Sequence, residues 1–74
     1  MKMEEVLVQI EGEYIKLDSL LKLSGIIDSG GLAKESIQEG QVQLNGQVCL
    51  QRGKKIRPGD KVIFDQYIIE VEGI

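Results

Sequence analysis

The sequence of 74 residues has no histidine and no tryptophan, and it has only one cysteine and one proline. Without histidine, Ser-His and Cys-His catalysis are impossible, and the usual zinc sites of cysteine and histidine cannot form. Cys49 has no partner for an internal disulfide, which fits a reducing compartment. Glu11 and Glu13 stand in an expected turn, where solvated charges are a simpler interpretation than acid–base chemistry. The sequence therefore predicts a protein that is not an enzyme and that uses no cofactor or metal.

Long apolar runs are also missing. No stretch approaches the roughly 20 apolar residues that are needed to span a bilayer. The start of the chain, residues 1–5, is too acidic for a signal peptide. A chain of this length forms one domain, residues 1–74, which buries only about 60% of its unfolded surface. We expect a soluble monomer in the cytoplasm, with no membrane partner.

The charge is negative overall but unevenly distributed. The net charge is −3, which by itself argues against a nucleic-acid partner. Residues 1–15 carry one base and four acids, and residues 62–74 carry three acids and no base. Residues 52–57, called the basic loop below, have no acid; their four cations are Arg52, Lys54, Lys55 and Arg57. A phosphate responds to this local potential, because charges are screened beyond about 10 Å.

The middle of the chain, residues 28–46, predicts a helix that leads directly into a hairpin. Ser29 is a good N-cap residue, because its hydroxyl can accept a hydrogen bond from an unpaired amide of the first turn. Gly40 is placed to take the left-handed conformation that ends a helix. Asn45-Gly46 is the strongest short signal for a type I′ hairpin turn. We expect this unit to be the centre of the fold.

The remaining segments predict further short elements around this unit. Alternating apolar residues indicate a strand over residues 5–10, and leucines at helical spacing indicate a short helix that ends at Gly25. Pro58-Gly59 suits a type II turn, and residues 61–71 read as a hairpin around Asp65-Gln66 whose register sets Lys61 opposite Glu70. The order is strand, short helix, helix and then four short strands. This predicts an α+β fold, with two short helices packed on a small, mainly antiparallel sheet.

Four runs of residues carry a resemblance to a known family. They are L-D-S-L-L-K-L-S-G, S-G-G-L-A-K, I-Q-E-G-Q-V-Q-L-N-G-Q-V and R-G-K-K-I-R-P-G-D. In this order and spacing, across residues 14–64, the chain resembles the S-four RNA-binding domain. That domain is named for a small-subunit ribosomal protein and also occurs in pseudouridine synthases and tyrosyl-tRNA synthetases. The likeness extends to its small stand-alone bacterial members of the YaaA/YbcJ type.

The resemblance implies an αL-type fold that binds structured RNA, often ribosomal, through the two helices and the following hairpin. By position, the family's motifs fall on Lys16, Leu17 and Asp18, on Ser29, Ala33 and Lys34, and on Leu44, Asn45 and Gly46. One departure concerns the helix start, where many members have arginine directly after the serine. This chain has Gly30-Gly31 there, so two side-chain contacts to RNA are lost.

Each candidate contact has a simpler alternative. Gly30-Gly31 can admit a phosphate to the amides at the positive end of the helix, or can serve close packing of the loop against the sheet. The basic loop can contact RNA or be merely solvated. Lys22 and Lys34 can flank one groove or be ordinary surface lysines. Asn45 can contact RNA, but turn chemistry alone also explains it.

We predict non-catalytic binding of structured RNA, expected to be ribosomal RNA or a pre-ribosomal particle, during ribosome assembly or maturation. Few aromatics favour a folded RNA surface over single strands. We expect the positive face to consist of the helix at Ser29 and the basic loop, with the acidic terminal strands away from RNA. The candidate contacts are Lys16, Asp18, Lys22, Ser29, Gly30, Gly31, Lys34, Asn45, Gly46, Arg52, Lys54, Lys55 and Arg57.

Two other functions are open. The acidic face could make the protein an adaptor that binds another protein on a larger ribonucleoprotein. The remote alternative is a β-grasp sulfur carrier, because V-x-L-N-G followed by P-G-D is shared with those proteins. Such carriers need a C-terminal Gly-Gly, whereas this sequence ends in Glu72-Gly73-Ile74.

Overall fold

The computed structural model describes residues 2–74, in which two helices and two sheets form one α+β unit. Neither helix in this range is long and apolar enough to cross a membrane. In chain order the elements are β1 (Glu4–Ile10), β2 (Ile15–Lys16), α1 (Leu17–Leu23), α2 (Gly30–Gln38), β3 (Val42–Leu44), β4 (Gln47–Val48), β5 (Lys55–Ile56), β6 (Lys61–Phe64) and β7 (Tyr67–Gly73).

The main sheet has five strands in the order β1-β7-β6-β3-β4. Strand β1 runs parallel to β7, from the pair Glu4–Tyr67 to the pair Ile10–Gly73. The other three pairings in this sheet are antiparallel, so the mainly antiparallel sheet that the sequence predicts is confirmed. The sequence did not predict the parallel pairing of β1 with β7, which brings the two acidic ends of the chain together.

The core lies between the main sheet and the two helices. Side chains alternate along the strands, so that Val8, Val62 and Ile69 face the helices and are buried. From the helices, Leu20 and Ile37 meet them with no exposed surface. Burial of one such side chain contributes about 1.5–3 kcal/mol, so these contacts hold the helices on the sheet.

The start and stop signals of α2 are confirmed. Ser29 is extended and its Oγ accepts a hydrogen bond from Leu32 N at 3.2 Å, as an N-cap residue does. Gly40 has a φ of +78°, which ends the helix. Asn45 and Gly46 have φ values of +50° and +88°, as a type I′ turn requires.

The second hairpin and its preceding turn are also confirmed. Asp60 N donates to Arg57 O at 3.0 Å, and Gly59 has a φ of +95°, as in a type II turn. Strands β6 and β7 pair in the expected register, with Lys61 opposite Glu70 at 3.5 Å between Nζ and Oε1.

The basic loop differs from the expectation, because its second half is a strand. Strand β5 pairs with β2 in a separate two-stranded sheet, with Ile15 opposite Ile56. Ile56 has no exposed surface and belongs to the core. The buried isoleucine and the ladder with β2 therefore hold in place a segment that the sequence predicts only as a basic loop.

Candidate nucleic-acid interface

The basic loop is attached to the start of α1. Leu17 N donates to Lys54 O at 2.9 Å, and Asp18 N donates to Arg52 O at 3.1 Å. These bonds satisfy two of the amides that a helix start leaves without partners. The buried side chain of Ile56 completes the anchor. The cations of the loop therefore project from a segment whose backbone is held in place.

Lys16 and Lys55 are directly opposite each other in the β2–β5 ladder. Such partners in an antiparallel pair have Cβ atoms about 4.5–5.5 Å apart, on the same face. Both lysines are exposed, and neither has a carboxylate within 4.0 Å among residues 2–74. Like charges in this position destabilise a sheet, so an anion bound between the two ammonium groups would relieve the repulsion.

Tyr14 is a member of this site that the sequence analysis missed. The Lys55 Nζ lies 4.9 Å from the centre of the Tyr14 ring, a cation–π distance. Tyr14 is 41% exposed, although aromatic side chains are usually covered. The signal available in the sequence was its position two residues before Lys16, which places both side chains on one side of an extended chain.

The start of α2 is open, in contrast to the start of α1. Among residues 2–74, the amides of Gly30 and Gly31 have no hydrogen-bond acceptor. A Cβ added to Gly31 would meet no atom within 4 Å, and neither glycine has a positive φ. Close packing of this loop therefore does not require glycine at position 31. The amides are accessible to an external anion at the positive end of the helix.

Lys22 lies at the end of α1, beside the start of α2. An ideal Cβ on Gly30 would lie 3.9 Å from Lys22 Cδ and 4.0 Å from its Nζ, so this ammonium stands beside the start of α2. Lys22 is in the last turn of α1, whose seven residues span about 10 Å. Helix α1 contacts both α2 and strand β5 of the basic loop, so it lies between the loop and α2. Lys34 lies further along α2 and is exposed.

Within residues 2–74, no carboxylate lies in ion-pair distance of the candidate cations. The single ion pair among residues 2–74 joins Lys61 to Glu70, on strands β6 and β7. All seven cations of the candidate set are exposed: Lys16, Lys22, Lys34, Arg52, Lys54, Lys55 and Arg57. Their charge is therefore available to an external partner, although the chain as a whole is acidic.

The Asn45 side chain makes two hydrogen bonds to the β6 side of the sheet, in addition to the turn conformation of its backbone. Its Nδ2 donates to Asp60 Oδ1 at 3.1 Å, and its Oδ1 accepts from Lys61 N at 3.0 Å. The other oxygen of Asp60 accepts from Arg57 N at 2.8 Å. Asn45 thus joins the β3–β4 turn to the end of the basic loop. These bonds favour the turn interpretation, and the neighbouring Gly46 is exposed.

Comparison with known proteins identifies relatives over most of the chain. The family model of the S4 domain matches residues 8–72. The probable ribosome maturation protein RlbA of Bacillus subtilis is 36% identical over 66 residues, which are 89% of this chain and 83% of RlbA. The RQC P-site tRNA stabilizing factor of Halalkalibacterium halodurans is 35% identical over 60 residues, 78% of this chain and 67% of that protein.

Solved structures show the same fold. The solution structure of YbcJ from Escherichia coli, described with an αL motif involved in RNA binding, has a TM-score of 0.67 and 33% identity. It covers 97% of this chain and 90% of YbcJ. Heat Shock Protein 15 of Vibrio cholerae, solved as a trimer, has a TM-score of 0.66 and 26% identity over 73% of this chain and 54% of its own. The α+β fold that the sequence predicts is therefore confirmed. From the match over residues 8–72 and the identity to RlbA, the chain belongs to the S4-domain family.

Proposed function

We propose that this protein is a non-catalytic module that binds structured RNA, and that it acts on ribosomal RNA or a pre-ribosomal particle during ribosome assembly or maturation. The observation that carries the proposal is the facing pair of Lys16 and Lys55, two exposed ammonium groups with no carboxylate partner within residues 2–74. A phosphate between them turns an unfavourable contact into a favourable one.

The contacts suit a phosphate backbone and not base edges. Lysine binds phosphate as a point charge, and the open amides of Gly30 and Gly31 bind anions without reading a sequence. Contacts of this kind set the position and orientation of the RNA. Tyr14 is the one exposed aromatic side chain among residues 2–74, and Lys55 Nζ lies over its ring, so the site has little aromatic surface for stacked bases. Recognition then depends on the shape of a folded RNA.

The ribosomal part of the proposal draws on the relatives. RlbA is named for ribosome maturation and the tRNA stabilizing factor for a ribosomal site, while YbcJ is described through its RNA-binding motif. Two of these names refer to the ribosome and the third description to RNA binding, which favours ribosomal RNA as the partner of this chain. We further propose that the protein acts in the cytoplasm, where ribosomes are assembled in bacteria, and that it binds RNA as a monomer.

The experiment measures how the affinity for folded ribosomal RNA domains, transcribed in vitro, depends on salt. The double variant Lys54→Gln/Lys55→Gln should reduce the slope of log affinity against log salt by about 0.7–0.9 for each lost phosphate contact. The matched control Lys2→Gln/Lys61→Gln removes the same charge from exposed positions outside the site.

The proposal requires the two double variants to differ. An unchanged slope in Lys54→Gln/Lys55→Gln, or an equal reduction in the control, would show that the basic loop does not contact RNA. Sedimentation of a cell extract at low and high salt, probed for this protein, tests the ribosomal part. A protein that stays at the top of the gradient at low salt would contradict it.

A further inference from the structure

The main sheet has a second face, which points away from the helices. The strand registers place Ile63 beside Ile68 on this outer face, with Leu7 diagonal to Ile68. Leu7 is 58% exposed, and the two isoleucines are half-buried. Within residues 2–74 no element covers these side chains, because both helices pack on the opposite face. The outer face is therefore an apolar strip open to a partner.

Acidic groups surround this strip. Glu5 is the register partner of Ile68, and Glu70 is the partner of Leu7. Glu72 lies one position further along on the same face. The one base among them, Lys61, is already paired with Glu70 at 3.5 Å. A shallow groove of about 250 Å³ runs beside Leu7, lined also by Asp60, Lys61, Glu70 and Glu72.

The edge of the sheet adds backbone groups to the same surface. Strand β1 is one of the two edge strands of the main sheet, so the amides and carbonyls on one side of its seven residues have no strand partner within residues 2–74. An open edge of this length is a template for an added strand. A strand added there would place alternate side chains beside Glu5, Leu7 and Gln9, on the outer face.

The negative charge of the outer face favours one class of partner over the others. RNA would meet carboxylates here and not cations, so it is disfavoured. A second copy of this chain added through its own β1 would bring a strand that carries Glu4 and Glu5 and no base, which adds like charge to this surface. A polypeptide that alternates lysine or arginine with apolar residues fits both features. Its apolar side chains cover Leu7 and Ile68, and its cations meet the carboxylates.

We propose that the outer face and the β1 edge dock an extended, basic segment of another protein. The proposal does not depend on the RNA-binding function, because it uses the opposite side of the sheet from the helices. If both hold, the molecule joins a folded RNA on one side to a basic protein on the other. Docking of such a partner is the adaptor function that the sequence left open, in which the acidic face binds another protein.

The test is an NMR titration of the ¹⁵N-labelled protein with a synthetic peptide of alternating lysine and valine, as long as β1. We expect saturable shifts in β1 and at the outward residues of β7, with the two helices unchanged. The variant Glu5→Gln/Leu7→Ser should weaken binding at least about fivefold, the equivalent of roughly 1 kcal/mol. Both side chains are exposed, so the variant is expected to fold.

Two controls separate this surface from the RNA site. A peptide with glutamate in place of lysine should not bind, and Lys54→Gln/Lys55→Gln should bind the basic peptide as the wild type does. The proposal is wrong if the shifts fall on the helices, if both peptides bind equally, or if Glu5→Gln/Leu7→Ser has no effect. It is also wrong if the protein self-associates through β1, or if ribosomal RNA displaces the peptide.

Discussion

Lys16 and Lys55 face each other across a sheet of two short strands, and the same two strands bring Ile15 opposite Ile56. The isoleucine of β5 has no exposed surface, whereas both lysines are exposed. Burial of Ile56 therefore keeps two like charges in an unfavourable position. The stability gained by burying Ile56 offsets the repulsion between the two lysines. Such a locally unfavourable arrangement is typical of a binding site, where the ligand supplies the missing counter-charge.

The first prediction concerns this pair. Lys16→Gln removes the repulsion and leaves the Lys55–Tyr14 contact intact. We expect the free energy of unfolding to be unchanged or to rise by up to about 1 kcal/mol. Affinity for folded ribosomal RNA should fall, with a salt slope lower by about 0.7–0.9. Urea unfolding at low salt and a salt series of RNA binding measure the two effects.

The matched control for this prediction is Lys61→Gln. It removes the same charge but breaks the ion pair with Glu70. The Lys61 side chain is 62% exposed and the Glu70 side chain 40% exposed, so solvent screens the pair and the loss of stability should stay below about 1 kcal/mol. RNA affinity should stay close to that of the wild type. A Lys16→Gln protein that is less stable, or that binds RNA as tightly as the wild type, would contradict the assignment of the pair.

The second prediction separates stability from binding at the start of α2. Gly31→Ala introduces a Cβ that meets no atom within 4 Å, and alanine favours the helix. We expect the free energy of unfolding to rise by about 0.4–1 kcal/mol, because the unfolded chain loses freedom. RNA affinity should nevertheless fall, since the Cβ hinders the approach of a phosphate to the amide.

The control for Gly31→Ala is a second substitution in the same helix. Gln38→Ala, at the exposed last residue of α2, also improves helix propensity but leaves the helix start unchanged. It should leave RNA affinity as it is. If Gly31→Ala stabilised the protein without any change in RNA affinity, the amides of Gly30 and Gly31 would not be a phosphate site.

The sequence was sufficient for features that depend on neighbouring residues. The N-cap at Ser29, the turn at Asn45-Gly46 and the register that pairs Lys61 with Glu70 each follow from a few adjacent residues, and each is confirmed. The resemblance to the S-four domain predicted the fold, and the YbcJ structure confirms it. These signals are strong because local backbone preferences and hydrophobic alternation act within about one turn or one hairpin.

The features that were missed depend on distant parts of the chain. Strands β2 and β5 have two residues each, too few for an alternating pattern, and 38 residues lie between Lys16 and its partner Lys55. Strands β1 and β7 pair from opposite ends of the sequence. The contact of Lys22 with Gly30 depends on the angle between two helices. Composition therefore identified the cations, but only tertiary packing decides which of them meet.

The third prediction tests whether Asn45 acts through the fold or through RNA. Asn45→Gly keeps the positive φ of the turn but removes the bonds to Asp60 and Lys61 N. We expect a loss of about 0.5–1.5 kcal/mol for each bond in the free energy of unfolding. Asn45→Ala should cost about 1–2 kcal/mol more, because alanine resists the left-handed conformation.

RNA affinity decides between the two roles of Asn45. Measured at a temperature at which all variants are folded, Asn45→Gly should bind RNA nearly as tightly as the wild type, because both polar atoms of the native side chain already have partners. A large loss of affinity in this variant would instead indicate direct contact with RNA.

Asp60→Ala provides a second check, since it releases Arg57 N as well as Asn45 Nδ2. Combined with Asn45→Gly in a double-mutant cycle of unfolding free energies, it should show a coupling of about 0.5–3 kcal/mol. Two independent, additive losses would mean that the turn and the end of the basic loop are not held together through Asp60.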